Sequence, residues 1–170
     1  MNRQSPSDIG KDALQYDNEF WRFSITVYNR PGVAEECLAL QQAIGADVNV
    51  LLFCSWAGAR GIVLNRDDIE EIMGHVGTWQ DQVVGPLRNI RQGMKSLKVE
   101  SFRARIKTIE LEAEQIEQTI LFAYSLRFQS GDKSARDAAT ENIKRYIEIK
   151  SGRTTLTAPL LAEAALQRRS

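Results

Sequence analysis

Only two cysteines, one histidine and four prolines occur in this chain of 170 residues. Two thiols, Cys37 and Cys54, are too few for a disulfide framework or a four-sulfur zinc site, and both are expected to be reduced. The lone histidine, His75, has no ligand spacing around it, so no metal and no cofactor is implied. Walker loops, H-E-x-x-H, G-x-G-x-x-G and G-x-S-x-G are all missing, and with them the usual signatures of phosphate, zinc, dinucleotide and acyl chemistry. A surplus of charge is missing too. Lys+Arg and Asp+Glu both total 22, so the global field favours neither nucleic acid nor an anionic membrane, and any electrostatic function is local. The longest apolar run, Val48 to Leu64, is interrupted by Asn49, Ser55 and Arg60 and falls short of the roughly 20 residues of a spanning helix. The polar N-terminus, broken by Pro6 and Gly10, lacks the apolar core of a secretory signal, and the default expectation is a cytoplasmic protein.

What is present is helical periodicity. Asp17 or Asn18 can cap a helix to about Tyr28, and Arg30-Pro31-Gly32 then turns the chain, with Pro31 suited to a helix start. Val33, Cys37, Leu40 and Ile44 form one apolar stripe before Gly45 ends the helix in a left-handed cap. Asp47 opens a third helix that is apolar nearly all round, the mark of a central core element. Asn65 caps a fourth, rich in carboxylates in its first turns. Thr78 with Asp81 fits a capping box after Gly77, so a new helix is expected there, running to about Leu97 and kinked by Pro86. From Ser101 to about Phe128, Phe102, Ile106, Ile109, Ala113, Ile116, Ile120 and Ala123 alternate in steps of four and three, a heptad seam. A helix over about 133–150 follows, burying Ala135, Ala139, Ile143 and Ile147. The expected fold is all-α, a compact bundle of about six to seven helices with one long heptad-patterned helix. The organisation reads as a polar, flexible stretch over 1–16, a single helical domain over 17–150, and a tail over 151–170 with a short helix near Pro159.

The residues Phe20-Trp21, Val27-Tyr28, Pro31-Gly32-Val33, Gly45-Ala46-Asp47-Val48-Asn49, Leu52-Phe53-Cys54 and Trp56 resemble an uncharacterised proteobacterial family known only as a domain of unknown function. Trp79, Val83-Val84, Pro86-Leu87-Arg88, Arg91, Lys95, Lys107, Glu110-Leu111 and Ala113-Glu114 are similar to its second half. The likeness spans roughly Phe20 to Tyr124. It implies a bacterial, helical, cytoplasmic protein and carries no activity with it.

Three sets of residues are candidates for function. The heptad seam, with Ile106, Ile109, Ile116 and Ile120 as contacts, suits either core packing or a partner helix, and a homo-oligomer is one outcome. The basic stripe Arg88, Arg91, Lys95 and Lys98 follows the side of a helix. It would serve as an electrostatic rim to that seam or bind anions, although Glu110, Glu112, Glu114 and Glu117 of the long helix and Asp67, Asp68, Glu70 and Glu71 of the fourth are available to neutralise it and no aromatics are interleaved for nucleic-acid stacking. Trp21, Asp47, Asn49, Cys54 and Trp56 are candidates for a ligand pocket between the first and third helices, each with a structural alternative: Asp47 as a helix cap, Cys54 as a small hydrophobe. The leading expectation is a non-catalytic protein–protein interaction or accessory protein. A small-molecule binder or enzyme using the pocket is the alternative, and an anion-binding adaptor the weaker one.

Overall fold

Backbone caps and glycine turns cut the chain into its elements. The computed structural model describes residues 16–166; the expected flexible N-terminal stretch lies outside them, apart from Tyr16. Helix α1 (Glu19–Tyr28) starts at Asn18, whose side chain accepts from Trp21 N at 2.9 Å. Helix α2 (Val33–Ile44) begins after Gly32, not at Pro31, because the turn requires the left-handed φ of 80° that glycine supplies, and it ends at Gly45 with φ 64°. Helix α3 (Val48–Ala59) is capped by Asp47, which accepts from the Asn49 and Val50 amides. Asn65 and Asp68 form a reciprocal capping box for α4 (Arg66–Trp79).

No break occurs at Thr78, and the expected capping box there does not form. The chain continues from α4 through a π turn, Gln80–Val84, into α5 (Gly85–Gly93) as one rod. Gly85 N–H reaches Gln80 O, one residue further back than in an α-helix. Pro86 follows in the first turn of α5, where its missing N–H lies next to the widened turn. The rod ends at Gly93 rather than near Leu97. Helix α6 (Glu100–Ser125) is 26 residues long, α7 is Ala135–Ser151, and α8 is Pro159–Ala164. With the rod taken as one body, seven helical bodies and no strand are present among the described residues, which is the all-α bundle expected.

Helix α3 is the axis. Its residues Asn49 to Gly58 are all buried. Phe53 packs edge-on to Phe20, with ring centroids 5.5 Å apart, and Trp56 bridges Phe20 and Phe122. On the opposite side α7 lies close, because Gly58 has no Cβ to overlap the Ala139 backbone. Asn142, fully buried on α7, accepts from Leu64 N at 2.8 Å and donates to Cys54 O and Ile62 O, satisfying three backbone groups where α3 ends. Helix α8 is clamped at both ends: the Glu36 carboxylate accepts from the Leu160 and Leu161 amides, and Arg30 donates to Ala164 O. Among the described residues no helix is long and apolar enough to cross a membrane.

Helix α6 departs most from its sequence pattern. Its buried residues are Glu110, Ala113, Glu117, Gln118, Thr119, Leu121 and Ser125, so it turns a largely polar stripe toward the core. Of the heptad seam only Ala113 is fully buried. Phe102 and Ile109 are 51% and 46% exposed, Ala123 is exposed, and Ile106, Ile116 and Ile120 are half-buried. The physical reason is that α5 and α3 offer polar partners to the other stripe, which apolar periodicity does not register.

Candidate functional site

The polar stripe of α6 faces a cleft between α1, α3, α5 and the α2 edge. Trp21, Ile25 and Tyr28 of α1, Leu38 of α2 and Val48 and Leu52 of α3 make its apolar wall; Arg88, Arg91, Glu110, Glu114 and Gln118 make the polar one, with Lys107 at its edge. Its volume is about 400 Å³, within the range of small-molecule sites.

Local structure sets each polar group. Arg88 and Arg91 lie one turn apart on α5, and Glu110 and Glu114 one turn apart on α6, so the two pairs meet across the helix interface. Arg88 donates to Glu110 at 3.2 Å and to Glu114 at 2.7 Å, and Arg91 donates to both Glu110 oxygens. Burial alone would raise the Glu110 carboxyl; the Arg91 hydrogen bond and the two guanidinium charges outweigh it and hold it below its usual range. For Glu114 burial wins despite Arg88, and its carboxyl is pushed up. Deeper in, Glu117 is fully buried. Burial, together with the nearby Asp47 carboxylate, holds it well above the ordinary carboxylate range, so it is protonated at neutral pH. Asn49 Nδ2 donates to Glu117 Oε2 at 3.1 Å, and Gln118 Nε2 donates to Asn49 Oδ1 at 2.8 Å. On the far side of Asp47 its own N–H donates to the Tyr146 hydroxyl at 2.7 Å. A second cleft opens there, lined by Gln80, Asp81, Pro86, Asn89 and Tyr146.

Of the pocket candidates, Trp21, Asp47 and Asn49 line the cleft together, whereas Cys54 and Trp56 do not. Cys54 lies about 140° around α3 from Asn49, toward α7, and Trp56 shares the Asn49 face but sits about 10 Å further along the axis, in the aromatic cluster. Burial pushes the Cys54 thiol up, and Cys37 is pushed up to about 12 for the same reason; neither is a ready nucleophile. Arg88 and Arg91 of the basic stripe line the cleft and are ion-paired to α6 glutamates, the internal neutralisation that the acidic residues made available. Lys95 is exposed in the turn after α5. Ile106, Ile109, Ile116 and Ile120 lie outside the cleft lining. Residues that sequence reading left out of the pocket are Glu110, Glu114 and Gln118, with Glu117 buried behind the lining. Their signal was a run of polar residues at helical spacing, which reads as a solvated face unless basic residues on another helix are matched to it. Among the described residues no group of three or more His, Cys, Asp or Glu side chains is arranged to hold a metal ion.

Neither the curated proteins nor the solved structures contain a significant match to the chain. A family model described as protein of unknown function (DUF2390) matches residues 19–121. That segment runs from the start of α1 to Leu121 of α6 and contains every residue lining the first cleft, from Trp21 to Gln118. By this match over more than half its length, the chain belongs to the DUF2390 family.

Proposed function

We propose that the protein binds a small molecule in the cleft between α1, α3, α5 and α6. The observation that carries this is the orientation of α6, which buries Glu110, Glu117 and Gln118 while leaving Phe102 and Ile109 in solvent. Helices are stabilised by the reverse arrangement, and each buried polar or charged group costs free energy unless fully compensated. Such a cost concentrates where a site must present polar chemistry beside an apolar wall. Native mass spectrometry of freshly purified protein, compared with the denatured mass, tests the reading. A stoichiometric extra mass on the folded chain, lost in Ile25→Trp, is the expected result. Ile25 is 45% exposed and lines the cleft, so the larger ring fills the space without entering the core. Retention of the same mass by Ile25→Trp would place the ligand elsewhere.

A second reading rests on a separate observation. Phe102 and Ile109 on α6, with Ile90 on α5 and Leu97 just beyond it, are large apolar side chains with about half their surface exposed. Exposed apolar groups concentrated at one end of a helical hairpin favour a protein contact, in which Ile106 would take part. The same native spectrum reads it: a dimer that Ile109→Lys converts to monomer supports self-association through α6, and a wild-type chain that is monomeric removes it.

A further inference from the structure

The cleft reading leaves open what chemistry the ligand carries, and the hydrogen bonds at its floor narrow it. In the structure Asn49 presents its NH2 to Glu117 Oε2 and its carbonyl to Gln118. Gln118 must then present its own NH2 to that carbonyl, and the ordering leaves the Gln118 carbonyl, Oε1, as the free end of the relay. Gln118 is only 3% exposed, it lines the cleft, and its Oε1 has no hydrogen-bond partner. A buried acceptor without a donor costs about 1–3 kcal/mol, so the floor of the cleft is short of one donor.

The charges around it point the same way. Arg88 and Arg91 are committed to Glu110 and Glu114. Asp47 and Glu114 both face the buried Glu117, and Asp47 spends one oxygen on the α3 amides. Gln118 Oε1 and these carboxylates present acceptors at this end, with the protonated Glu117 carboxyl and the unpartnered Ser24 hydroxyl as neighbouring donors, while Trp21, Ile25 and Leu52 offer apolar surface. A metal ion does not suit the site, since the described carboxylates do not converge with ligand geometry.

Resting on the small-molecule reading, we infer that the ligand is a protonated primary amine on an apolar body, its ammonium donating to Gln118 Oε1 and facing the Asp47 and Glu114 carboxylates. The body lies along Trp21, Ile25 and Leu52. A charge-assisted hydrogen bond in place of an orphaned acceptor is worth about tenfold or more in affinity over a neutral donor.

Calorimetric titration of the full chain in amine-free phosphate buffer separates the classes, with 2-phenylethylamine, 2-phenylethanol and 3-phenylpropionate as probes of matched size. The amine is expected to bind at least about tenfold more tightly than the other two. Gln118→Leu and, independently, Glu114→Gln, each checked for wild-type far-UV circular dichroism, are expected to bring the amine down toward the alcohol. The second variant keeps the test valid if the first fails to fold. Equal or tighter binding of the alcohol or the carboxylate overturns the amine assignment and leaves the cleft reading standing. So does failure of all three probes while Ile25→Trp still loses a co-purifying mass. If no probe binds and no mass is present, both readings fall.

Discussion

The two helix pairs that meet α3 and α5 are built on opposite principles. Between α3 and α7 the contact is close and mostly apolar, with Gly58 against Ala139, Asn142 spending both ends of its amide on backbone groups and the Tyr146 hydroxyl accepting from the Asp47 amide. Between α5 and α6 no residue of α5 is fully buried, and the contact is held by Arg88 and Arg91 against Glu110 and Glu114. Close apolar packing tolerates almost no change of volume, whereas paired charges tolerate rearrangement but not loss of a partner. The first pair fixes the fold and the second supplies the polar wall of the cleft.

The largest test of that contrast is Gly58→Val. Any Cβ at Gly58 would overlap the Ala139 backbone, so a loss of about 3 kcal/mol or more is expected, read as a drop in urea midpoint. A midpoint within error of wild type would show that α7 is not in close contact at all.

Glu110→Gln acts on the other pair. It removes the charge that Arg88 and Arg91 share, for a cost of about 2 kcal/mol given that both guanidiniums are about a fifth exposed. Hydrogen exchange should accelerate across α5 while α3 and α7 keep their protection. Uniform acceleration in all helices would mean that the two regions are one cooperative unit.

Glu117→Gln separates the buried charge balance from packing. In the folded chain the Glu117 carboxyl holds its proton well above the ordinary 4.5. As pH rises past that ordinary value the unfolded chain releases the proton and the folded chain does not, so wild type loses stability by at most about 1.4 kcal/mol per pH unit through neutrality. Glutamine cannot titrate. The variant should match wild type near pH 5 and exceed it progressively by pH 8; a pH-independent difference would mean that Glu117 is ionised when folded. The smallest expected effect is at the thiols. Cys37 and Cys54 are buried, with their pKa values raised by burial, so iodoacetamide at pH 8 should modify neither unless the chain opens, leaving the native mass unchanged after an hour.

How much of this could be read beforehand divides along the same line. Asn18, Gly45, Asp47 and Asn65 act on backbone within a few residues, and their local chemistry was legible as caps. The all-round apolarity of α3 gave its central place. The polar stripe of α6 was not legible, because its burial depends on Arg88 and Arg91, about twenty residues away in sequence, arriving on the correct side. Periodicity scores apolar positions alone, and so it chose Phe102 and Ile109, which the fold leaves in solvent. The cleft was half visible: the caps brought Asp47 and Asn49 together, but neighbours on one helix, Cys54 and Trp56, look toward different partners.

The π turn between α4 and α5 has a consequence for how the chain can change length. An α-helix with one residue too many widens locally and leaves the segments on either side aligned as before. Deleting one residue within 80–84 is therefore expected to restore the ordinary ladder with Arg88 and Arg91 still opposite α6, whereas the same deletion within α4 or α6 would rotate everything beyond it by about 100°. The rod thus contains an expansion joint, placed between the half anchored by Ile69 and Ile72 and the half that lines both clefts.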